Sequence, residues 1–273
     1  MKTAILTAVC GIAVSAVMLG AGFVSGSSVN ADELPQVVRV ADNAPFSSAA
    51  DKAAIEAIIH DYLVKNPEVM LEVQDALEKK QSEAQRVAQE KVIKDSAKQI
   101  FDASYDGIVG NPDGKISIVE FFDYNCHFCK GALPDMQALV KENKDLRFVL
   151  KEFPILGEDS AKASVVSMAF KKLMPEKYGD FHLQLLGGNG RADEAKAIKI
   201  AVSLGADEAA LRQEMKDPAI QKDIQSTYDL ANKLSISGTP SYVVGDEVVF
   251  GALGKKVLDE KLANVRACDH TTC

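Results

Sequence analysis

The segment that most constrains this chain is Lys115–Cys129. There an apolar run (KISIVEFF) passes through Asp123-Tyr124-Asn125 straight into Cys126 and Cys129, two residues apart. The run reads as a strand and the residues after Cys126, to about Lys141, as a helix. A strand that hands a cysteine to the mouth of a helix gives its sulfur a particular environment. The first turn offers unpaired N–H groups and a partial positive charge, which favour thiolate over thiol at Cys126. His127 can add positive charge or a hydrogen bond. Cys129 lies one turn inward, placed to displace whatever Cys126 has captured. The rival reading is zinc, because structural zinc sites join two close cysteine pairs. Cys268 and Cys273, with His270 between them, offer a second half. Growth of the first pair directly out of a strand favours redox exchange.

The compartment agrees with that chemistry. Lys2 is the only charge before Asp32, Ala4–Val24 is an unbroken apolar run, and small residues lead to Ala31. This is the pattern of a secretory signal occupying residues 1–31; an uncleaved membrane anchor is the alternative. Loss of Lys2 takes the formal charge from −8 to −9, a poor match to nucleic acid, which calls for a basic footprint. Four cysteines remain, too few for a disulfide-stapled miniature. A local Cys268–Cys273 disulfide is the plain reading of the last six residues, with a second redox relay or a metal contact as the alternative.

Residues 32–50 read as a flexible leader. Ile55, Ile58, Ile59, Tyr62 and Leu63 then form a helical stripe, and Asn66-Pro67-Glu68 reads as a break in which Asn66 caps the next helix. Val69, Met70, Val73 and Leu77 continue the apolar pattern. From Glu78 to Lys98, ten of 21 residues are charged, with Arg86–Glu90 and Glu90–Lys94 spaced to pair. That stretch is expected to be a solvated rod joining two modules, and the 55–77 stripe to be covered by self-association or by its own catalytic domain. Turn formers at Gly107, Gly110, Asn111, Pro112, Asp113 and Gly114 open the next domain. Strands are expected at 115–122, 146–153, 241–244 and 247–249, the last two around a Gly245-Asp246 hairpin turn, with a helix-rich block between and a final helix at 255–267. The expected class is α/β with a helical insertion.

FFDYNCHFCK, followed far downstream by SGTPSYVV, resembles the DsbA family of thioredoxin-fold thiol–disulfide oxidoreductases over about Asp106–Ala267. The resemblance implies a thioredoxin fold over 106–267 with a helical insertion at about 158–234, a helical oligomerisation segment at 32–105, and a tail at 268–273. It implies that Cys126 attacks, Cys129 is buried, and Pro240 is a cis-proline facing the pair, with the Thr239 backbone free to pair with extended substrate; a trans turn proline is the alternative. It further implies that Glu120 is a buried acid partnered by Lys151, the two relaying the Cys129 proton, against the alternative of a surface salt bridge. IIHDYLVKNPEVM is similar to the stalk of suppressor-of-copper-sensitivity C proteins. The function implied is disulfide formation or isomerisation in secreted proteins within the periplasm. Unfolded or misfolded clients, a membrane redox partner and a homodimer or homotrimer through residues 51–100 are expected, and no cofactor or metal. The alternative is a periplasmic copper- or zinc-binding thiol protein.

Overall fold

The computed structural model describes residues 48–273, so the signal-like segment 1–31 and most of the leader lie outside the described residues. The chain divides into two compact units after Pro67.

The first unit contains helix α1, Ala49–Lys65. Ser48 starts it: its Oγ accepts from the Asp51 N–H at 3.0 Å, and the Asp51 carboxylate accepts from the Ser48 N–H, which satisfies two otherwise unpaired donors. Asn66 does not cap the following helix. It closes α1, donating from both its backbone N–H (2.9 Å) and its side-chain Nδ2 (2.8 Å) to the Tyr62 carbonyl. Pro67 disfavours helical backbone at the residue before it, so Asn66 serves the carbonyls behind it. No α1 side chain is buried, and Ile58, Ile59 and Tyr62 are exposed.

The second unit begins with α2 (Glu68–Asp95) and α3 (Ala97–Phe101). Five strands follow: β1 (Gly107–Gly110), β2 (Ile116–Phe122), β3 (Leu146–Glu152), β4 (Ser241–Val244) and β5 (Glu247–Phe250). Their order is β1-β3-β2-β4-β5, with β2 and β3 parallel and the other pairs antiparallel. Helix α4 (His127–Glu142) crosses from β2 to β3. The insertion comprises α5 (Glu158–Leu173), α6 (Tyr178–Gly187), α7 (Glu194–Ser203), α8 (Glu208–Glu214) and α9 (Pro218–Lys233), and α10 (Lys255–Cys268) ends the fold. This is the expected α/β architecture.

Strand alternation divides the core in two. Ile118, Phe122, Phe148, Leu150, Tyr242 and Val244 face one way, packed with α4, α10 and the insertion. Val119, Phe121, Val149, Val243 and Val248 face the other, packed with Ile93 of α2, Ile100 of α3 and Leu230 of α9. The end of α2 is therefore not a free rod. Burial of Ile93 and Ile100 is worth about 1.5–3 kcal/mol each, more than the ~0.3–0.5 kcal/mol of an exposed helical ion pair. Arg86 pairs with Glu90 as expected, at 3.4 Å, but also with Glu83 at 2.8 Å. Lys91 pairs with Asp95 where Glu90–Lys94 was expected. Gln89 Oε1 accepts from the Val248 N–H at 3.2 Å, so α2 covers part of the β5 edge.

The glycine cluster hides a strand. Gly107–Gly110 pairs antiparallel with Leu150–Arg147 at the sheet edge. A Cβ on Gly107 would lie 1.9 Å from the Tyr178 ring, so the strand lacks the side chains by which strands are recognised.

The expected Glu120–Lys151 pair does not form. In the β2–β3 register Glu120 lies beside Leu150 and Phe121 beside Lys151, so alternation sends the two side chains to opposite faces. The buried Lys151 ammonium donates to Asp106 Oδ2 and to the Gln99 carbonyl, each at 2.5 Å, and lies 5.4 Å from the centre of the Tyr105 ring. Burial pushes the Asp106 carboxyl up to about 7 against the pull of Lys151. Removal of one partner from a buried pair leaves an uncompensated polar group. Lys151→Met is expected to lower unfolding free energy by about 3–5 kcal/mol in urea titration, and Lys151→Met with Asp106→Leu to recover most of that loss. A single-variant loss below about 1 kcal/mol contradicts the pairing.

Candidate active site at the start of helix α4

The turn between β2 and α4 is held by buried polar groups. Asp123 Oδ1 accepts from the Asn125 N–H and the Ser160 hydroxyl, both at 2.7 Å, and Oδ2 accepts from the Leu156 N–H at 2.9 Å. Asn125 Nδ2 donates to Ser160 Oγ and to the Ala192 carbonyl, and its Oδ1 accepts from the Ala192 N–H. Ser160, Ser164 and Ser167 recur on one face of α5 and all three are buried. Ser164 donates to Glu152 at 2.7 Å, and the Ser167 hydroxyl bonds the Tyr124 hydroxyl at 2.8 Å. Asp123, Asn125 and this serine face escaped the reading of the sequence, which took α5 as part of a helix-rich block; the polar DYN before the first cysteine was the available signal.

Cys126 is the N-cap of α4, and its Sγ accepts from the Cys129 N–H at 3.4 Å. As a thiol, Cys126 donates to the Thr239 carbonyl at 3.1 Å. The Thr239–Pro240 peptide is cis, so the structure brings Cys126, Cys129, Thr239 and Pro240 together as the resemblance implied. Both cysteines are reduced, with Cys126 5% exposed and Cys129 fully buried. Hydrogen bonding from the Cys129 thiol, aided by the Thr239 side chain and the N–H groups of Cys129 and Phe128, lowers the Cys126 thiol to about 5 against the opposing effect of burial. Burial, together with the thiol's hydrogen bond to Cys126 and the charge of Glu120, drives Cys129 far upward. One sulfur is thus an anion at neutral pH while its neighbour keeps its proton.

Glu120 is buried on the cysteine-facing side of β2, paired across the sheet with Tyr242. Burial, and then the negative charge of Cys126, push its carboxyl up to about 8. Lys151 lies on the other face and takes no part. The His127 ring is exposed and stands edge-on to Phe128, with centroids 5.8 Å apart. Among the described residues no hydrogen bond joins His127 to the Cys126 sulfur. Phe128 is 65% exposed, an apolar ring beside the reactive sulfur that sequence reasoning passed over. Cys268 and Cys273 are joined in a disulfide, as the plain reading of the tail held, so they do not supply thiolates to a four-cysteine zinc site.

Comparison with known proteins agrees with this fold. Residues 117–263, over half the chain, match the DSBA-like thioredoxin domain, and residues 51–84 match the copper resistance protein ScsC N-terminal domain. Disulfide bond formation protein D of Bacillus subtilis is 24% identical over 155 residues, which cover 52% of this chain and 68% of that protein. Two Na(+)/H(+) antiporters of Salinispora also match, and the chain spans 22% and 26% of their length. A thioredoxin-like oxidoreductase from Silicibacter pomeroyi is 36% identical, with a TM-score of 0.59 over 63% of this chain and 98% of that one. A linker-deleted ScsC variant from Proteus mirabilis is 27% identical, with a TM-score of 0.62 over 82% and 99% of the two chains.

Iodoacetamide labelling of the reduced protein across pH is expected to modify Cys126 with a midpoint near pH 5 and to leave Cys129 unmodified at neutral pH, as read by peptide mass spectrometry. A Cys126 midpoint at or above about 8, that of an ordinary thiol, contradicts the electrostatics of the site.

Proposed function

Because this chain belongs to the DSBA-like thioredoxin family, we propose that it is an exported enzyme that makes or rearranges disulfides in secreted proteins. The observation carrying the proposal is the Cys126 sulfur, anionic at the mouth of α4 and facing Thr239, with protonated Cys129 behind it.

In the reducing direction the Cys126 thiolate attacks a client disulfide, forms a mixed disulfide, and releases one client thiolate. The negative charge on Cys126 is then gone. That charge is one of the two causes holding Glu120 up, so Glu120 ionises more readily and can take the Cys129 proton. Cys129 attacks the Cys126 sulfur and expels the second client thiolate. Two electrons have passed to the client, and the protein holds a Cys126–Cys129 disulfide. The reverse sequence oxidises a client dithiol. In isomerisation the client's own thiol resolves the mixed disulfide, and no net electrons move. Net direction is set by a membrane redox partner that keeps the pair oxidised or reduced. The backbone beside Thr239 receives an extended client segment, and Phe128 supplies apolar contact.

The signal-like segment 1–31 supports export to the periplasm. Among the described residues no helix is long and apolar enough to cross a membrane. Exposed Ile58, Ile59, Tyr62, Met70, Leu71 and Leu77, on the segment similar to ScsC, support self-association as a dimer or trimer. Ile93 and Ile100 are engaged with their own sheet, so the self-associating face is assigned to the part of residues 51–100 that precedes them. A carrier of soft copper or zinc ions would use the same two thiolates. Stoichiometric metal that survives dialysis, in protein inert toward insulin disulfides, would favour that second reading.

Cys126→Ser is expected to abolish insulin reduction and scrambled-ribonuclease refolding, and Cys129→Ala to accumulate mixed disulfides. Glu120→Gln is expected to slow resolution of those mixed disulfides by about tenfold or more. Retained turnover in Cys126→Ser removes the proposal. Light scattering is expected to give two or three times the chain mass, falling to one in the Ile58→Glu/Ile59→Glu variant. A monomeric parent protein removes the stalk assignment while leaving the redox chemistry standing.

A further inference from the structure

Three donor groups outside the redox site converge from separate parts of the second unit. Glu90 lies near the end of α2, Asp246 in the β4–β5 turn, and His270 in the loop closed by the Cys268–Cys273 disulfide. One ligand atom from each lies within 4.8 Å of the others. We propose that Glu90, Asp246 and His270 bind one divalent transition-metal ion of the zinc type, tying α2 and the tail to the hairpin.

The donors are already oriented. Asp246 Oδ1 accepts from both the Thr271 N–H and its hydroxyl at 2.9 Å, which leaves Oδ2 facing His270 Nδ1 at 2.7 Å. The Thr271 carbonyl accepts from Asn264 Nδ2 at 2.8 Å, and Thr271 itself is buried, so the carboxylate is braced from behind in the manner of outer-shell partners in metal sites. Among the described residues Glu90 is held only by the 3.4 Å contact with Arg86, whose shorter partner is Glu83 at 2.8 Å. Transfer of Glu90 to an ion therefore leaves Arg86 paired.

The spacing suits a small ion. Zinc takes nitrogen and oxygen at about 2.1 Å, so neighbouring ligands in a tetrahedron lie roughly 3.4 Å apart. A shift of about an ångström in the exposed ends of Glu90 and His270 closes the set. The ion takes the place of the proton shared by His270 and Asp246, and three protein ligands leave a fourth position for water. The donor set selects the metal. Lys94 and Lys115 line the same 580 Å³ cavity, which weakens attraction by charge alone, so the ion must be one that imidazole holds well. Imidazole suits zinc and its neighbours, whereas magnesium and calcium prefer oxygen.

The test uses the oxidised protein without residues 1–31, in which both cysteine pairs are disulfides and no thiol competes. Calorimetric titration with Zn²⁺ is expected to show one equivalent per chain. Glu90→Gln and His270→Gln are each expected to weaken binding by at least about tenfold while leaving insulin reduction unchanged, and Mg²⁺ is expected to give no binding heat. Zn²⁺ is also expected to raise the urea midpoint of the parent protein but not that of His270→Gln. No Zn²⁺ binding, or binding that both substitutions leave intact, overturns the site.

Discussion

The structure depends on holding one sulfur as an anion while keeping it nearly out of water. A buried charge is costly unless polar groups answer it, and Cys126 has several. It caps α4, receives the Cys129 N–H, and is further stabilised by the Cys129 thiol and the Thr239 side chain. These groups must not drift, and much of the fold fixes them. The Asp123–Asn125–Ser160 network sets the turn before the helix. The three serines of α5 tie the insertion to that turn and to Tyr124 and Glu152. β2 anchors the turn at its other end between two packed faces.

Burial gives the two cysteines opposite characters although they are only three residues apart. Cys126 sits where the helix presents its N–H groups, and the anion is stabilised. Cys129 sits one turn inward among apolar side chains, and the thiol is retained. Glu120 couples them: it responds to the charge on Cys126 and raises Cys129 in turn. Lys151 has no share in this chemistry. With Asp106 it forms a buried polar pair beneath α3, close to where Ile100 anchors that helix to the sheet.

Much of this was legible before any coordinates. The apolar runs of β2 to β5, the first of them leading into Cys126, and the Gly245-Asp246 turn place strands and helix, because each carries a local pattern set by backbone geometry; the cis-proline at Pro240 followed only from the family resemblance. What failed to show lacked such a pattern. β1 is half glycine and declares itself only by pairing with β3. The partner of Lys151 follows from strand parity, which a one-residue offset reverses. Ser160, Ser164 and Ser167 are ordinary helix residues until Asp123, Glu152 and Tyr124 are placed opposite them. Asn66 and Pro67 marked a helix break correctly, but which helix Asn66 serves is decided by the Tyr62 carbonyl. The charge-rich end of α2 read as a solvated rod because Val87, Val92 and Ile93 are its only large apolar residues, too few among the charged ones to show a periodicity.

The central claim is that the fold stabilises the reduced pair through the Cys126 thiolate. The thiol is lowered from its unperturbed 9.0 to about 5 in the folded protein, so between those values the unfolded chain binds a proton that the folded one does not. The stabilisation is therefore complete above about pH 9 and is lost as pH falls through about 5. The most direct test is urea unfolding of the reduced and oxidised proteins side by side from pH 4 to 9. The account predicts that the reduced form is the more stable at neutral pH, and that its advantage shrinks steadily toward pH 5. An oxidised form as stable or more stable at pH 7, or a difference that does not change with pH, contradicts it.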